Sequence, residues 1–327
     1  MPTRRIEQAL ETLAELRHSA SPDGQIRALR KALGDPVNVV VAKAARLTAE
    51  LHLRVLIPDL CASFERLLLH PVKTDPQCWA KQALAQALRE LGHAESGVFL
   101  RGAQHVQREP VWGGEEDTAT GVRAVCTLAL LDCTDLTRED KLWPVMRLLT
   151  EASPSLRKDA ALALQALGGR EAALLLRIKA RQGDPDPTVT GQVFESLLQV
   201  EGEGTVPFVE EFLHAPSTET REEAALALGA SHLPRAVAAL RSACHEKHPL
   251  MRSEVLFRAL SISRCEEALG FLLQVVRRGR PHEAVEALEA LQLHRGSEEL
   301  LERVGQAVAN RSESEVQRAW QRWFEKK

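Results

Sequence analysis

Proline recurs in the second half of this chain at intervals close to the length of one helix pair. Intervals of 31, 33 and 32 residues separate Pro185, Pro216, Pro249 and Pro281. Ala- and Leu-rich stretches with helical spacing follow these prolines, as in REEAALALGA after Pro216. Proline suits the first turn of a helix, and a glycine such as Gly229 suits its end. The spacing therefore predicts a repeated unit of helix, turn and helix.

Each unit continues with a second apolar helix, such as LPRAVAALRSAC, and then a polar turn. One helix pair cannot bury its apolar face alone, so successive pairs must stack against one another. Small alanines let neighbouring helices approach closely, and leucines fill the space between them. The sequence thus predicts an all-α fold, a right-handed α-solenoid (superhelix) of about eight helix pairs with terminal capping helices.

The stretch SPSLRKDAALALQALGGREAALLLRIKARQGD resembles bacterial HEAT repeats of the phycobilisome-lyase type. The resemblance extends over residues 30 to 310. It implies HEAT-type helix pairs and, because no catalytic constellation accompanies them, a member of the family that is not an enzyme. The fold alone does not determine the function of such a protein.

The repeats are less regular in the first half of the chain. We expect four parts: N-terminal capping helices at 1–34, irregular repeats at 35–152 with an insertion loop at 105–121, regular repeats at 153–310, and a C-terminal capping helix at 311–327. A break at His18–Pro22 divides the N-terminal helices. The last helix carries Val316, Trp320 and Trp323 on one stripe, which is typical of a helix that closes the end of a solenoid.

The composition is that of an ordinary soluble protein. Aromatic residues make up 4% of the chain, tyrosine is absent, and the formal net charge is -3. A surface that stacks bases or attracts nucleic acid usually needs more aromatic area and more positive charge. Six cysteines without a CxxC pair indicate reduced thiols, and no stretch has the length of a signal peptide core or a membrane helix. We expect a cytoplasmic location.

The insertion loop is the least repeat-like segment and the first candidate for binding a partner. It places Trp112 beside two glycines and the acids Glu115, Glu116 and Asp117. A tryptophan on a loop can anchor a protein partner, and insertions in solenoids often gather on the binding face. The alternative is a long turn whose tryptophan covers a gap between units.

Basic residues near the start of the Ala-rich helices form the second candidate. The set expected on the inner, concave face is Arg123, Arg157, Lys158, Arg221, Arg252 and Arg258, together with the acid Glu222. Such arginines bind either a partner or the acids and carbonyls of an adjacent repeat. If they bind a partner, replacing Arg157 and Arg252 together by Glu should weaken binding without unfolding the array.

The sequence contains two His-Glu pairs: His245-Glu246 in a predicted turn and His282-Glu283 at a helix start. They are similar to the metal-binding helices of deoxyhypusine hydroxylase, a HEAT-type di-iron enzyme. That family holds its irons with four His-Glu pairs, and this chain has two. A lone His-Glu pair on a charged helix usually belongs to a solvated surface, so no metal site is predicted.

Two further enzyme classes remain alternatives. Alkylpurine DNA glycosylases are also built on HEAT-like repeats, and Trp112 with Glu116 or Asp117 and Arg147 resembles their pocket of tryptophan, acid and arginine. Phycobilin lyases share the repeat alone. The spacing of Cys126 and Cys133 on one helix indicates core residues rather than reactive thiols.

We therefore expect a non-catalytic scaffold or adaptor that binds a protein partner on the concave face. No catalytic, cofactor-binding or metal-binding residue is predicted, and no cofactor. A nucleic-acid partner is disfavoured by the charge, and no membrane partner is expected.

Overall fold

The computed structural model describes residues 2–17, 21–246 and 252–324. Within these ranges the chain forms twenty α-helices, five short 3-10 helices and one β-hairpin. The predicted all-α solenoid fold is confirmed, except that the predicted insertion loop contains the hairpin. Part of the expected break at His18–Pro22, residues 18–20, lies outside the described ranges. Pro249 lies outside them too.

The chain divides into two compact units, Met1–Ala163 and Leu164–Lys327, hereafter unit 1 and unit 2. The helices that begin in unit 1 are α1 (Pro2–Leu16), α2 (Pro22–Leu33), α3 (Asn38–Glu50), α4 (Ile57–Leu69), α5 (Pro71–Thr74), α6 (Trp79–Glu90), α7 (Ser96–Ala103), α8 (Thr120–Leu130), α9 (Arg138–Leu148) and α10 (Pro154–Leu167), which crosses the boundary. Strands β1 (Arg108–Val111) and β2 (Gly114–Asp117) lie between α7 and α8.

The helices of unit 2 continue the alternation. They are α11 (Gly169–Gln182), α12 (Pro187–Glu201), α13 (Val206–Glu210), α14 (Thr218–Ala230), α15 (Pro234–Glu246), α16 (Ser253–Ile262), α17 (Glu266–Arg278), α18 (Pro281–Leu291), α19 (Glu298–Val308) and α20 (Ser314–Trp323). The 3-10 helices are Arg54–Leu56, Pro76–Cys78, Gly202–Thr205, Glu211–His214 and Gln292–His294.

Two helix layers form each unit. In unit 1, α1, α3, α6 and α8 pack successively side by side, and α2, α4 and α7 do the same behind them. In unit 2, the first-helix layer consists of α12, α14, α16, α18 and α20, and the second-helix layer contains α13, α15, α17 and α19. The Ala-rich helices thus form one layer, as stacked repeats require.

Small residues set the separation within the first-helix layer of unit 2. Ala224, Ala225 and Ala259 are fully buried. A Cβ on Gly229 would lie 2.2 Å from the carbonyl oxygen of Ala259 on the next first helix. Gly229 lies in the last turn of α14, at the end of its helix as expected, and the absence of a side chain there lets the two backbones meet. In unit 1, Cys126 and Cys133 are buried, which confirms their place in the core.

The C-terminal helix α20 packs on α18 and α19. Val316 is fully buried, and the Trp320 ring lies against Gly305 of α19 and stacks on Phe324. These are the contacts expected of a capping helix. Residues 325–327 of the predicted cap lie outside the described ranges. Among the helices placed by the structure, none has the length and apolar character needed to span a bilayer.

Candidate interaction surfaces

The insertion in unit 1 is a two-stranded antiparallel hairpin. Val111 of β1 pairs with Gly114 of β2, and Trp112 and Gly113 form the two-residue turn between them. Gly113 adopts a φ of +93°, which a glycine tolerates without strain. The Trp112 side chain is 104% exposed and therefore covers no gap between helix pairs.

A buried polar network fixes the base of the hairpin. The Glu109 carboxylate, only 7% exposed, accepts hydrogen bonds from the Gln77 N–H, Gln107 Nε2 and Thr118 Oγ1, each 2.6 Å long. Burial alone would raise the pKa of Glu109, but these hydrogen bonds, together with the charge of Lys81, lower it below its ordinary value. Glu109 is therefore held as a carboxylate.

The network continues into a buried ion pair at the start of α6. Lys81 Nζ lies 3.1 Å from Asp75 Oδ2, and both side chains are fully buried. The same carboxylate accepts the backbone N–H groups of Ala80 and Lys81, and Gln107 Nε2 donates to the Asp75 carbonyl. The sequence did not predict this pair, because Lys81 has the same sequence context as the many solvated charges on Ala-rich helices.

Two consecutive residues before α6 have left-handed backbone conformations. Gln77 has φ 61° and Cys78 has φ 56°, a region that non-glycine residues rarely adopt. The Gln77 N–H points to Glu109 in this conformation. The hydrogen bonds of the network therefore hold a strained turn in place.

Asp117 and Arg123, both predicted to face a partner, instead bind each other. Asp117 Oδ2 lies 2.7 Å from Arg123 Nη1, and its other oxygen accepts the N–H groups of Gln107 and Ala119. Arg123 also pairs with Glu151 at 2.7 Å and donates to the His105 carbonyl. The polar atoms of both residues are thus engaged within unit 1, and their contact with a partner stays a prediction.

A pocket of about 290 Å³ opens beside this cluster. Its lining includes Asp117, Arg123 and Glu151 together with Arg147. The arginine and the acid of the glycosylase alternative thus share one pocket, but Asp117 is already neutralised by Arg123. Burial would raise the pKa of Asp117, and the hydrogen bonds and the Arg123 charge lower it.

Arg157 and Arg221 are also unavailable to a partner. Arg157 is 9% exposed and donates to the carbonyls of Glu151 and Ala152; Arg221 is 3% exposed and donates to those of Ala215 and Pro216. Each guanidinium therefore holds the turn that leads into its own helix. At these positions the structure favours the alternative in which the arginines bind backbone carbonyls, so we expect Arg157→Glu to destabilise the fold as well as any binding. Lys158 remains half-buried.

Arg252 and Arg258 lie on the surface of unit 2. Arg252 is exposed and pairs with Glu254 at 2.7 Å. Arg258 lines a groove of about 250 Å³ between α16 and α18 together with Glu254, Glu286 and Glu289. A pocket of about 480 Å³ also borders Glu286 and is lined by Arg318, Arg322 and Trp323.

Carboxylates, rather than the expected cations, dominate the first-helix layer of unit 2. We define the acidic face by the exposed or half-buried carboxylates of α12, α14, α16 and α18: Glu195, Glu222, Glu223, Glu254, Glu286 and Glu289. Burial raises the pKa of Glu195, and burial and the nearby charge of Glu195 raise that of Glu223. Sequence reasoning named only Glu222 of this set, because the acids recur in successive first helices without a constant helical position.

The second helices, in contrast, pair their charges across neighbouring elements. In unit 1 Arg30 pairs with Asp59 and Arg101 with Glu65; in unit 2 Arg181 pairs with Glu211 and Arg303 with Glu266. Ion pairs between elements thus run along the second helices, in addition to the bonds to acids and carbonyls that Arg123, Arg157 and Arg221 make beside the Ala-rich helices.

The two His-Glu pairs lie on different helices. His245 is in the last turn of α15, not in a turn between helices as expected, and its ring meets Phe271 edge-on. Glu283 accepts the Arg280 N–H at the start of α18. Across the described ranges, no group of three or more His, Cys, Asp and Glu residues is placed to hold a metal ion.

Comparison with known proteins identifies the repeat. Residues 174–261 and 205–292 match the family model for HEAT repeats. No curated protein matches the chain. Human deoxyhypusine hydroxylase is similar at 21% identity over 78% of this chain and 89% of its own, with a TM-score of 0.30. An engineered protein is similar at 17% identity over 98% of this chain and 94% of its own, with a TM-score of 0.39. Scores this low support no further argument.

Proposed function

We propose that the chain is a non-catalytic scaffold or adaptor that binds a protein partner on the first-helix layer of unit 2. HEAT repeats are suited to this role because a stack of helix pairs presents a long, preorganised surface. The first helices of unit 2 pack more closely than the second helices. We place the concave face on this layer, because the inner layer of a curved stack is the more closely packed one.

The distribution of charge in unit 2 is the observation that carries the proposal. Arginines of the second helices form ion pairs with acids of neighbouring elements. On the acidic face, the side chains of Glu195 and Glu223 form no ion pair or hydrogen bond among the described residues, and burial raises the pKa of both. Partly buried carboxylates without a counter-ion favour a cationic ligand. We therefore assign this face to a segment of the partner that carries Lys or Arg.

The location and the origin of the repeat are part of the same proposal. The six cysteines are free thiols, and burial raises the pKa of Cys61 and of Cys78 to about 11. Unreactive free thiols suit a reducing compartment. We propose a cytoplasmic protein with bacterial, phycobilisome-lyase-type HEAT repeats.

The proposal is tested by affinity capture of the full-length chain from the lysate of its native host, with and without nuclease. The test variant carries Glu195→Lys and Glu289→Lys on the acidic face. The control carries Glu267→Lys and Glu302→Lys, exposed acids of α17 and α19, and has the same change in net charge. We expect a stoichiometric protein that survives nuclease, is retained by the control, and is captured about tenfold less by the test variant.

Two outcomes would reject the proposal. Capture of DNA or RNA without protein would favour a nucleic-acid-binding function. Equal capture by the test and control variants would mean that the acidic face is not the contact surface. Binding should also weaken as salt is raised, because the proposed attraction is between exposed charges.

A further inference from the structure

We infer that the hairpin of unit 1 is a second contact, in which Trp112 inserts into an apolar pocket with a basic rim on a protein partner. This goes beyond the proposed function, because it concerns another unit and another kind of contact. It requires only that the chain binds a protein.

The first argument is the exposure of Trp112 on a fixed support. Its side chain is 104% exposed, although the indole is one of the largest apolar groups that a protein can bury. Tryptophans that fill a partner's pocket are the commonest residues to dominate binding energy. An exposed indole at the tip of a projecting turn has the geometry for such insertion.

The second argument is that the support is already ordered. Glu109 binds three donors at the hairpin base, Asp117 binds Arg123, and Gln107 links both strands to the start of α6. A loop that is ordered before binding avoids the entropy loss that a mobile loop would suffer. The buried network therefore acts by positioning Trp112.

The third argument identifies the partner by its charge. Glu115 and Glu116 are exposed on β2 beside the turn, and their side chains form no ion pair or hydrogen bond in the described part of the chain. Carboxylates flanking an inserted tryptophan are repelled by an anionic lipid surface and attracted by lysine or arginine. The complementary site is thus an apolar pocket on a protein, rimmed by basic side chains.

The experiment places a photo-crosslinking residue, benzoylphenylalanine, at position 112 of the full-length chain in its native host. The matched control has it at position 143, because Trp143 is another exposed tryptophan of unit 1. We expect one protein to crosslink from position 112 and not from 143. Its crosslinked peptide should lie in an apolar pocket bordered by Lys or Arg.

Binding to the purified crosslinked protein then provides the measurement. Trp112→Ala should weaken the affinity by about thirty-fold or more, as expected for a dominant contact, and Trp143→Ala should leave it unchanged. The Glu115→Lys/Glu116→Lys variant should lower the association rate about tenfold and reduce its dependence on salt. The Glu195→Lys/Glu289→Lys variant separates the two proposals. If that variant loses the partner while Trp112→Ala retains it, the acidic face is supported and the hairpin contact is rejected.

Several results would overturn the inference. They are the absence of a protein crosslink from position 112 and an affinity of Trp112→Ala equal to that of the wild type. A third is a blue shift of the tryptophan emission on vesicles of phosphatidylglycerol and phosphatidylcholine that the Trp112→Ala variant lacks. The last result would assign the hairpin to a lipid surface.

Discussion

Lys81 and Asp75 form a fully buried ion pair at the point where α6 and the hairpin meet. Removing one partner leaves a charge in the protein interior without compensation. We expect Lys81→Met to lower the free energy of unfolding by about 3 to 5 kcal/mol. Denaturant titration measures this change.

The matched control is Arg303→Met, which removes a solvent-exposed pair with Glu266. The free energy of unfolding should fall by less than about 1 kcal/mol in this variant, because water screens such pairs. Equal losses from both variants would show that burial does not determine the strength of the Lys81 pair.

Glu223 differs from Glu109 in the direction of its pKa shift. Burial and the charge of Glu195 raise the pKa of Glu223, so the folded state favours the protonated side chain. At neutral pH the ionised side chain therefore lowers the free energy of unfolding. Glu223→Gln should therefore raise the free energy of unfolding at pH 7 by about 0.5 kcal/mol, a small gain because solvent screens a half-exposed group. Thermal unfolding between pH 4 and pH 8 measures it.

The sign of this effect can be checked against pH. The gain should vanish below the ordinary glutamate value of 4.5, because the wild-type side chain is then neutral in both states. It should grow as the pH rises through the elevated pKa. A gain that increases toward acid pH would contradict the assignment of burial as the cause.

Sequence reasoning was least successful at the scale of single residues. It located arginines at the starts of the Ala-rich helices, but it could not distinguish a guanidinium in solvent from one that binds a turn. Arg221 and Arg258 were both expected on the concave face, but Arg258 is exposed, whereas Arg221 is 3% exposed and donates to the carbonyls of Ala215 and Pro216. That difference depends on the path of the turn before α14, which residue spacing does not specify.

The elements themselves were largely predictable, because proline spacing and Ala/Leu periodicity both follow from helix geometry. The hairpin was not, since neither strand has the alternating apolar pattern of a packed sheet. Its strands instead depend on the Glu109 network, whose members come from α6, the preceding turn and the insertion. Such long-range polar contacts leave no local signature.

Glycine substitutions in two helices test how closely elements pack. A Cβ on Gly229 of α14 would lie 2.2 Å from the Ala259 carbonyl oxygen, whereas one on Gly270 of α17 would meet nothing within 4 Å. Gly229→Ala should lower the free energy of unfolding by about 1 to 3 kcal/mol, because the backbones of α14 and α16 must separate. Gly270→Ala should stabilise by about 0.5 to 1 kcal/mol because alanine favours the helix.

Thermal unfolding of both variants gives the comparison. Destabilisation by Gly270→Ala of the same size as by Gly229→Ala would show that the close approach of α14 and α16 is not the reason for glycine at position 229.

At the scale of the whole molecule, the repeats predict how a local change spreads. In a stack of helix pairs each pair contacts only its neighbours, so stability is distributed along the array instead of residing in one core. Within unit 2, α20 packs on α18 and α19, and Trp320 lies against Gly305. The C-terminal cap should therefore protect the last pairs far more than the first.

Trp320→Ala tests this distribution by hydrogen exchange. Loss of the indole uncovers the end of the stack, and we expect amide exchange in α18 and α19 to rise at least tenfold while α11 and α12 change little. Mass spectrometry of peptides along unit 2 resolves the two regions, and Trp143→Ala, an exposed tryptophan of unit 1, serves as the control. A uniform rise across unit 2 would mean that its repeats unfold as one cooperative block. A local rise would mean that a partner bound near α16–α20 can stabilise the end of the array without altering its beginning.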